Sequence, residues 1–225
     1  MTEFERLNTR KTSVVQVGGF RPTGDRFASN FGIGPMALPG EAWPTSGERP
    51  MLFVCQLNLT TAPDVPALLE DIQLLTFFVT ADGEPRGKEN GDDWQLFAYT
   101  SMNELTAMVR PGDAPSVKRG FECRWEVCDD HPTSDDPDRV VPEGFDDSEV
   151  ELDNVPRTKI GGYPSTIQSE PWWDYEPHPA EPKYCLQINN EEKAGVVWGD
   201  GGTIYLARGT AEGASGRWFL DLQSY

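Results

Sequence analysis

Two stretches of the chain follow one plan. Residues 29–59 read SNFGIGPMALPGEAWPTSGERPMLFVCQLNL, and residues 158–189 read TKIGGYPSTIQSEPWWDYEPHPAEPKYCLQIN. Each opens with a hydroxyl residue, a polar residue, an apolar residue and Gly, then reaches Pro three residues later, at Pro35 and Pro164. Each crosses a loop rich in Trp and Pro. Each ends in an apolar run carrying Gln, an aliphatic residue and Asn: Gln56-Leu57-Asn58 and Gln187-Ile188-Asn189. The two prolines are 129 residues apart and the two glutamines 131. Spacing kept across separate landmarks argues for an internal duplication. Two copies are too few for a solenoid, so one shared core is expected.

The rest of the chain fits that plan. LLTFFV follows the first copy and TIYLA the second, each β-branched or aromatic as strands require. TSVVQV near the N-terminus, WQLFAYT and FECRWEVCDD also read as strands, and DVPALLEDIQLL opens with a helical turn. Ser101-x-x-Glu104 has the form of a capping box, which predicts a short helix at about 102–110 with Leu105, Met108 and Val109 inward, stopped by Pro111-Gly112. With 22 Gly and 19 Pro, turns are frequent and elements short. The expectation is a mainly-β or α+β fold. It is a single roll-like domain over residues 1–225 with few short helices. The first pseudo-repeat spans about 29–110, an acidic connection about 129–157, and the second pseudo-repeat about 158–225.

Charge narrows the function classes. The net charge is −18, and phosphate backbones are bound by clustered Lys and Arg, so nucleic acid is not expected as a partner. An acidic surface speeds encounter with basic partners; it also serves solubility alone. Residues 111–225 hold 10 basic against 23 acidic side chains, a balance of −13. Within residues 129–153 eleven acids face one base, Arg139, which reads as a solvated connection. The N-terminal segment has no long apolar run, so neither a signal peptide nor a membrane span is expected, and the cytoplasm is the expected location. Cys55 and Cys185 sit in apolar runs and read as small buried hydrophobes. The oligomeric state is left open.

Several chemistries are tested by residue pattern. GGFRPTGD, residues 18–25, has the frame of a phosphate-binding loop, but Asp25 stands where a Lys would be needed, so a turn is the better reading. Cys123-x4-Cys128-x2-His131 is half of a zinc pattern with no second pair, and no metal or cofactor is expected. No nucleophile–base pattern stands out, so no catalytic residue is named. Gly161, Gly162 and Pro164, with Gly32 and Pro35, are assigned to structural turns. Trp172, Trp173 and Tyr175 lie among acids, as do Asp135, Asp136, Asp138, Asp146 and Asp147. Aromatics beside carboxylates suit an interface with a basic protein, against the alternative that the rings cover the core. Gln187, Asp200 and Gly201 are the candidates if a ligand pocket lies between the two copies.

The segments SNFGIGP, EAWP, FVCQLNL and LLTFFV, with TKIGGYP, CLQIN and WGDGGTIYLA, resemble the YwqG-like family, a bacterial domain of unknown function. The likeness covers nearly all of the chain after Ser29. The first copy departs from the double glycine, because Ile33 stands where the second has Gly162. The resemblance implies a mainly-β, roll-like fold with an internal duplication. It implies no activity. The function expected is a non-enzymatic cytoplasmic protein-binding protein, in concrete form an immunity-type protein neutralising a basic toxin or nuclease. The alternative is an enzyme or small-molecule binder with a cleft between the copies.

Overall fold

Runs of β-branched and aromatic residues set the architecture. The computed structural model describes residues 2–147 and 150–225; Ser148 and Glu149 of the acidic run lie outside these. A first short helix, α1 (Glu3–Leu7), starts at a capping box in which the Thr2 hydroxyl accepts the Glu5 N–H and the Glu5 carboxylate accepts the Thr2 N–H. TSVVQV then falls in β1 (Arg10–Val17), followed by β2 (Asn30–Phe31) and β3 (Met36–Ala37) on either side of the first glycine turn. A small hairpin, β4 (Thr45–Ser46) and β5 (Arg49–Pro50), precedes β6 (Leu52–Asn58). Next come a 3₁₀ turn at Ala67–Leu69, β7 (Leu74–Val79), β8 (Trp94–Tyr99), β9 (Thr106–Ala107) and β10 (Phe121–Asp130). The second half supplies β11 (Lys159–Gly161), α2 (Trp172–Tyr175), β12 (Pro182–Asn189), β13 (Thr203–Gly209) and β14 (Trp218–Gln223).

Ten of these strands form one antiparallel sheet in the order β14-β13-β12-β11-β1-β10-β2-β6-β7-β8. The sheet curls until its edges nearly meet, so the mainly-β expectation holds in a barrel-like form. A segment ahead of β8 stitches the seam. Asn90 N–H donates to Trp218 O, and Leu220 N–H to Lys88 O at 2.9 Å. The Asn90 side chain then serves β8 as a neighbouring strand would, accepting Leu96 N–H at 2.8 Å and donating to Leu96 O at 2.9 Å. Inside, one core draws Val15, Phe31, Phe77 and Trp94 together with Ile160, Leu186, Leu206 and Trp218. Each such side chain taken out of water contributes about 1.5–3 kcal/mol before entropy is counted.

The two stretches match in detail. The β6–β7 register slips between Phe53 and Cys55, and the β12–β13 register between Tyr184 and Leu186. At each bulge two successive residues, Val54 with Cys55 and Cys185 with Leu186, enter the same core. The Gln of each strand then points outward. Gln56 Oε1 accepts Met36 N–H at 2.8 Å and its Nε2 donates to Ala28 O at 3.1 Å; Gln187 Oε1 accepts Ser165 N–H at 2.9 Å and its Nε2 donates to Arg157 O at 3.0 Å. Asn58 N–H donates to Ser29 Oγ and Asn189 N–H to Thr158 Oγ1. The repeated Gln-x-Asn is thus a clamp on the glycine turn that precedes it.

Chain order and sheet order disagree at the centre. β1 comes before the first stretch yet pairs with β11 of the second; β10 comes before the second yet pairs with β2 of the first. The two leading strands are exchanged, and they pair with each other from Arg10↔Asp130 to Val17↔Cys123.

One expected element is absent. Residues 102–110 form no helix. Ser101 Oγ accepts the Asn103 N–H at 3.3 Å, an ST turn and not an N-cap, and Thr106–Ala107 pairs with Met36–Ala37 as β9. Strand pairing with a distant segment outcompeted a local capping signal. Leu105 is buried as expected, but Val109 is 87% exposed.

Candidate functional site

The loop after β1 explains both what GGFRPTGD does and where an open groove arises. Gly18 and Gly19 take φ of 61° and 82°, turning the chain back over β10. The backbone N–H groups of Thr23 and Gly24 and the Thr23 hydroxyl converge on the buried Glu122 carboxylate at 2.8–3.2 Å. The anion cradled by this loop is the protein's own side chain. Burial opposes ionisation of Glu122, and the hydrogen bonds from Thr23 and Gly24 outweigh it, so its carboxyl titrates below the usual range.

With its backbone so fixed, the loop projects its arginines outward. Arg21 lines an open groove of about 640 Å³ together with Phe20, Pro22, Ile33, Arg119 and Phe121. The Arg124 guanidinium lies 4.0 Å over the Phe20 ring, Arg119 5.1 Å over Phe121 and Arg26 4.8 Å over Phe27. None of Arg21, Arg26, Arg119 and Arg124 makes an ion pair among the described residues. Ile33, 61% exposed, stands at the lip of this groove and of a second cavity of about 360 Å³ that includes Arg26, Asn30, Gly34, Met36 and Met108.

The second stretch fills the corresponding space. Where the first has Asn30, Gly34 and Met36, the second has Lys159, Tyr163 and Ser165, all buried. Lys159 Nζ donates to Asp130 Oδ2 at 2.7 Å and to Ser165 Oγ at 3.1 Å, with Lys159 and Asp130 both 0% exposed. Asp130 also accepts the N–H groups of Tyr163 and Val155 at 2.8 Å. Burial lowers the Lys159 pKa, against the pull of Asp130. Gly162 carries φ of 65°, and a Cβ there would lie 2.1 Å from Asp130 Oδ2. Gly32 and Gly161 share a positive φ, while Ile33 does not. Pro35 and Pro164 follow both turns. The Lys–Ser–carboxylate trio has the residue types of a nucleophilic site, but its members are enclosed and spent on holding the turn.

The residues picked from sequence are dispersed. Trp172 and Trp173 are inside, 4% and 7% exposed, packed with Tyr205 and Phe219, and Trp172 Nε1 donates to Leu220 O at 2.9 Å. They are unavailable to a partner, because Pro171 turns the chain onto β13 and β14 and the rings complete the packing there. Tyr175, next in the same turn, is 65% exposed. The acidic connection is tied down more than expected. Phe145 stacks on Phe4 at 4.8 Å, Asn8 exchanges two hydrogen bonds with Val140, and Arg139 pairs with Asp147 at 3.0 Å. Asp138 pairs with Arg10 at 3.1 Å. Asp136 is buried and removed from any surface, while Asp135 and Asp146 are exposed. Gln187 is fully buried in its clamp; Asp200 is exposed, its carbonyl accepting Tyr225 N–H; Gly201 borders a separate groove with Arg157 and Lys193.

Cys123 is buried in the core and Cys128 half-buried on the other face of β10; no group of three or more His, Cys, Asp or Glu among the described residues is placed to hold a metal ion. Nor is any described helix long and apolar enough to cross a membrane. Sequence reasoning missed the arginine groove, since the contact of Arg124 with Phe20 and the Glu122 anchor are understood only once β1 and β10 are paired. A comparison with curated proteins finds no match. The model of the DUF1963 family, a domain of unknown function, matches residues 29–207, and the chain belongs to that family.

Proposed function

We propose that this is a non-enzymatic binding protein that receives its partner on the face around Ile33. One observation carries the reading. In a chain with 37 acidic side chains, Arg21 and Arg119 line an open groove with no ion pair among the described residues, while Arg124 beside its wall faces the buried Glu122 carboxylate. Two of them are held in place by stacking on Phe121 and Phe20. A groove with oriented guanidiniums, aromatic walls and an exposed aliphatic residue has the composition of a binding hot spot. The Lys159–Ser165–Asp130 trio supports binding over catalysis, because its groups are buried and committed to the fold. Likeness to the YwqG-like family and a location in the cytoplasm belong to the same reading, as does descent of the two halves from one duplicated unit, supported by their matching bulges and glutamine clamps.

The test is affinity capture from the native host followed by mass spectrometry, comparing the natural protein with an Arg21→Glu/Arg119→Glu variant. The expected result is a partner retained by the former and lost by the latter. Equal capture by both overturns the assignment of the face. A second reading keeps a basic protein partner, such as a toxin or nuclease, on the acidic connection. Its support is the exposed Asp135, Glu143 and Asp146 on loops tied to α1. Capture that survives the arginine changes but fails after Asp135→Asn/Glu143→Gln/Asp146→Asn favours it.

A further inference from the structure

We propose that the Ile33 face takes an acidic polypeptide segment bearing aliphatic side chains, a claim that rests on the binding-protein reading above. Three features of the groove define this occupant. The first is charge. Arg21 and Arg119 line the groove with no ion-pair partner among the described residues; the one carboxylate in its lining, Glu122, is taken up by Thr23 and Gly24 and offset by Arg124, and Asp25 beside Arg26 lies in the second compartment. A guanidinium over a ring spends no hydrogen-bond donor on that contact, and its N–H edges match carboxylates two bonds at a time. The second is shape. The groove is open, and it continues past Ile33 and Pro22 into the neighbouring cavity beside Met36 and Met108. Small molecules are held where most of their surface is enclosed; an open trough of two compartments suits an extended chain with alternating side chains. The third is the apolar ridge. Ile33 is 61% exposed between the compartments, where an aliphatic side chain on the ligand removes it from water.

Phosphate-bearing ligands fit less well. The glycine loop that would offer backbone N–H groups to a phosphate has given those of Thr23 and Gly24 to Glu122. A polyanion such as nucleic acid also meets the repulsion of a −18 molecule over a long length, whereas a short acidic segment meets mainly the local arginines within a screening length of about 8 Å.

The experiment uses the full chain and fluorescence anisotropy with three labelled probes. These are a short peptide alternating glutamate with isoleucine, the same peptide with lysine in place of glutamate, and a single-stranded oligodeoxynucleotide. Saturable binding of the glutamate peptide is expected, weakening with added salt, with no binding of the lysine peptide. Arg119→Glu and Arg21→Glu should each lower affinity about tenfold or more, as charge reversal at a contacting pair does. Arg6→Glu, the same charge change on α1 at the opposite end of β1 from the groove, should leave it within about twofold, as expected of charges beyond the screening length. Thermal melts check that each variant is folded. Binding indifferent to Arg21 and Arg119, or tighter binding of the oligonucleotide, overturns the proposal. Loss of a host partner in the arginine variants, with no binding of the glutamate peptide, removes the acidic-segment claim and leaves the binding face standing. Failure of both removes both.

Discussion

At the scale of single residues, the most consequential pair is Lys159 with Asp130. Each is fully buried, and the carboxylate serves three partners at once, the ammonium and two backbone N–H groups, while Lys159 also donates to the Ser165 hydroxyl. A buried charge is tolerated only while its counter-charge remains, so removing one partner costs about 3–5 kcal/mol. Lys159→Met is therefore expected to destabilise by that amount in urea denaturation. Asp130→Asn should cost about as much, because it leaves the buried Lys159 without its counter-charge and turns an amide NH2 toward the Lys159, Tyr163 or Val155 donors. Sequence alone gave little warning of this. Lys159 lies in a strand position that reads as polar and exposed, and Asp130 belonged to an apparently solvated acidic run. Both facts depend on β1 lying between β10 and β11 and pairing with each. The glutamines were legible as a repeated landmark at positions 56 and 187, yet Gln187 was read as a pocket candidate. Nothing local shows that its amide is consumed by Ser165 and Arg157.

At the scale of elements, the seam is the point of leverage. The Asn90 side chain stands in for a strand by accepting Leu96 N–H and donating to Leu96 O, while its backbone reaches Trp218. Truncating it leaves both Leu96 groups without their partner, and each lost hydrogen bond is worth about 0.5–1.5 kcal/mol. Asn90→Ala should destabilise by about 1–2 kcal/mol on that basis. The decisive readout is local: hydrogen exchange at Leu96 and Leu220 should accelerate more than at Val15 or Ile160, which lie on the central strands β1 and β11. Exchange that rises equally everywhere contradicts a seam role. The long strands β6, β7, β8, β10, β12 and β13 could be read from their apolar runs, because burial on one face leaves that mark in any context. β2 and β11, two and three residues long, are too short to carry a period. The failed helix at 102–110 shows the converse error, a local signal with real propensity overridden by pairing with Met36–Ala37.

At the scale of the whole molecule, pH and charge act through a few buried groups. Asp136 is buried, with Oδ2 lacking a hydrogen-bond partner and Oδ1 accepting the Asp138 N–H; burial raises its pKa, and Asp138 and Asp130 add to this while Arg10 opposes. A carboxyl with a raised folded pKa lends stability that is fully present below its unfolded value, near 3.9, and is lost as pH rises through the folded value. Glu122, lowered in the folded state, runs the other way: its contribution is present above about 4.3 and lost as pH falls. Asp136→Asn should thus remove part of the decline in stability on the alkaline side of pH 4 and leave the acid-side loss intact, as measured by melting temperature across pH. A parallel shift of the whole profile rejects this account. The exchange of leading strands has a further consequence, for the order in which the protein can be made. β1 is synthesised ahead of both strands it pairs with, residues 121–130 and 159–161. Until most of the chain has been translated, SVVQV has neither flanking strand, and an unpaired apolar strand is a template for association with other chains. The nascent protein therefore depends on chaperone cover or fast completion for longer than a fold made of two self-contained halves would.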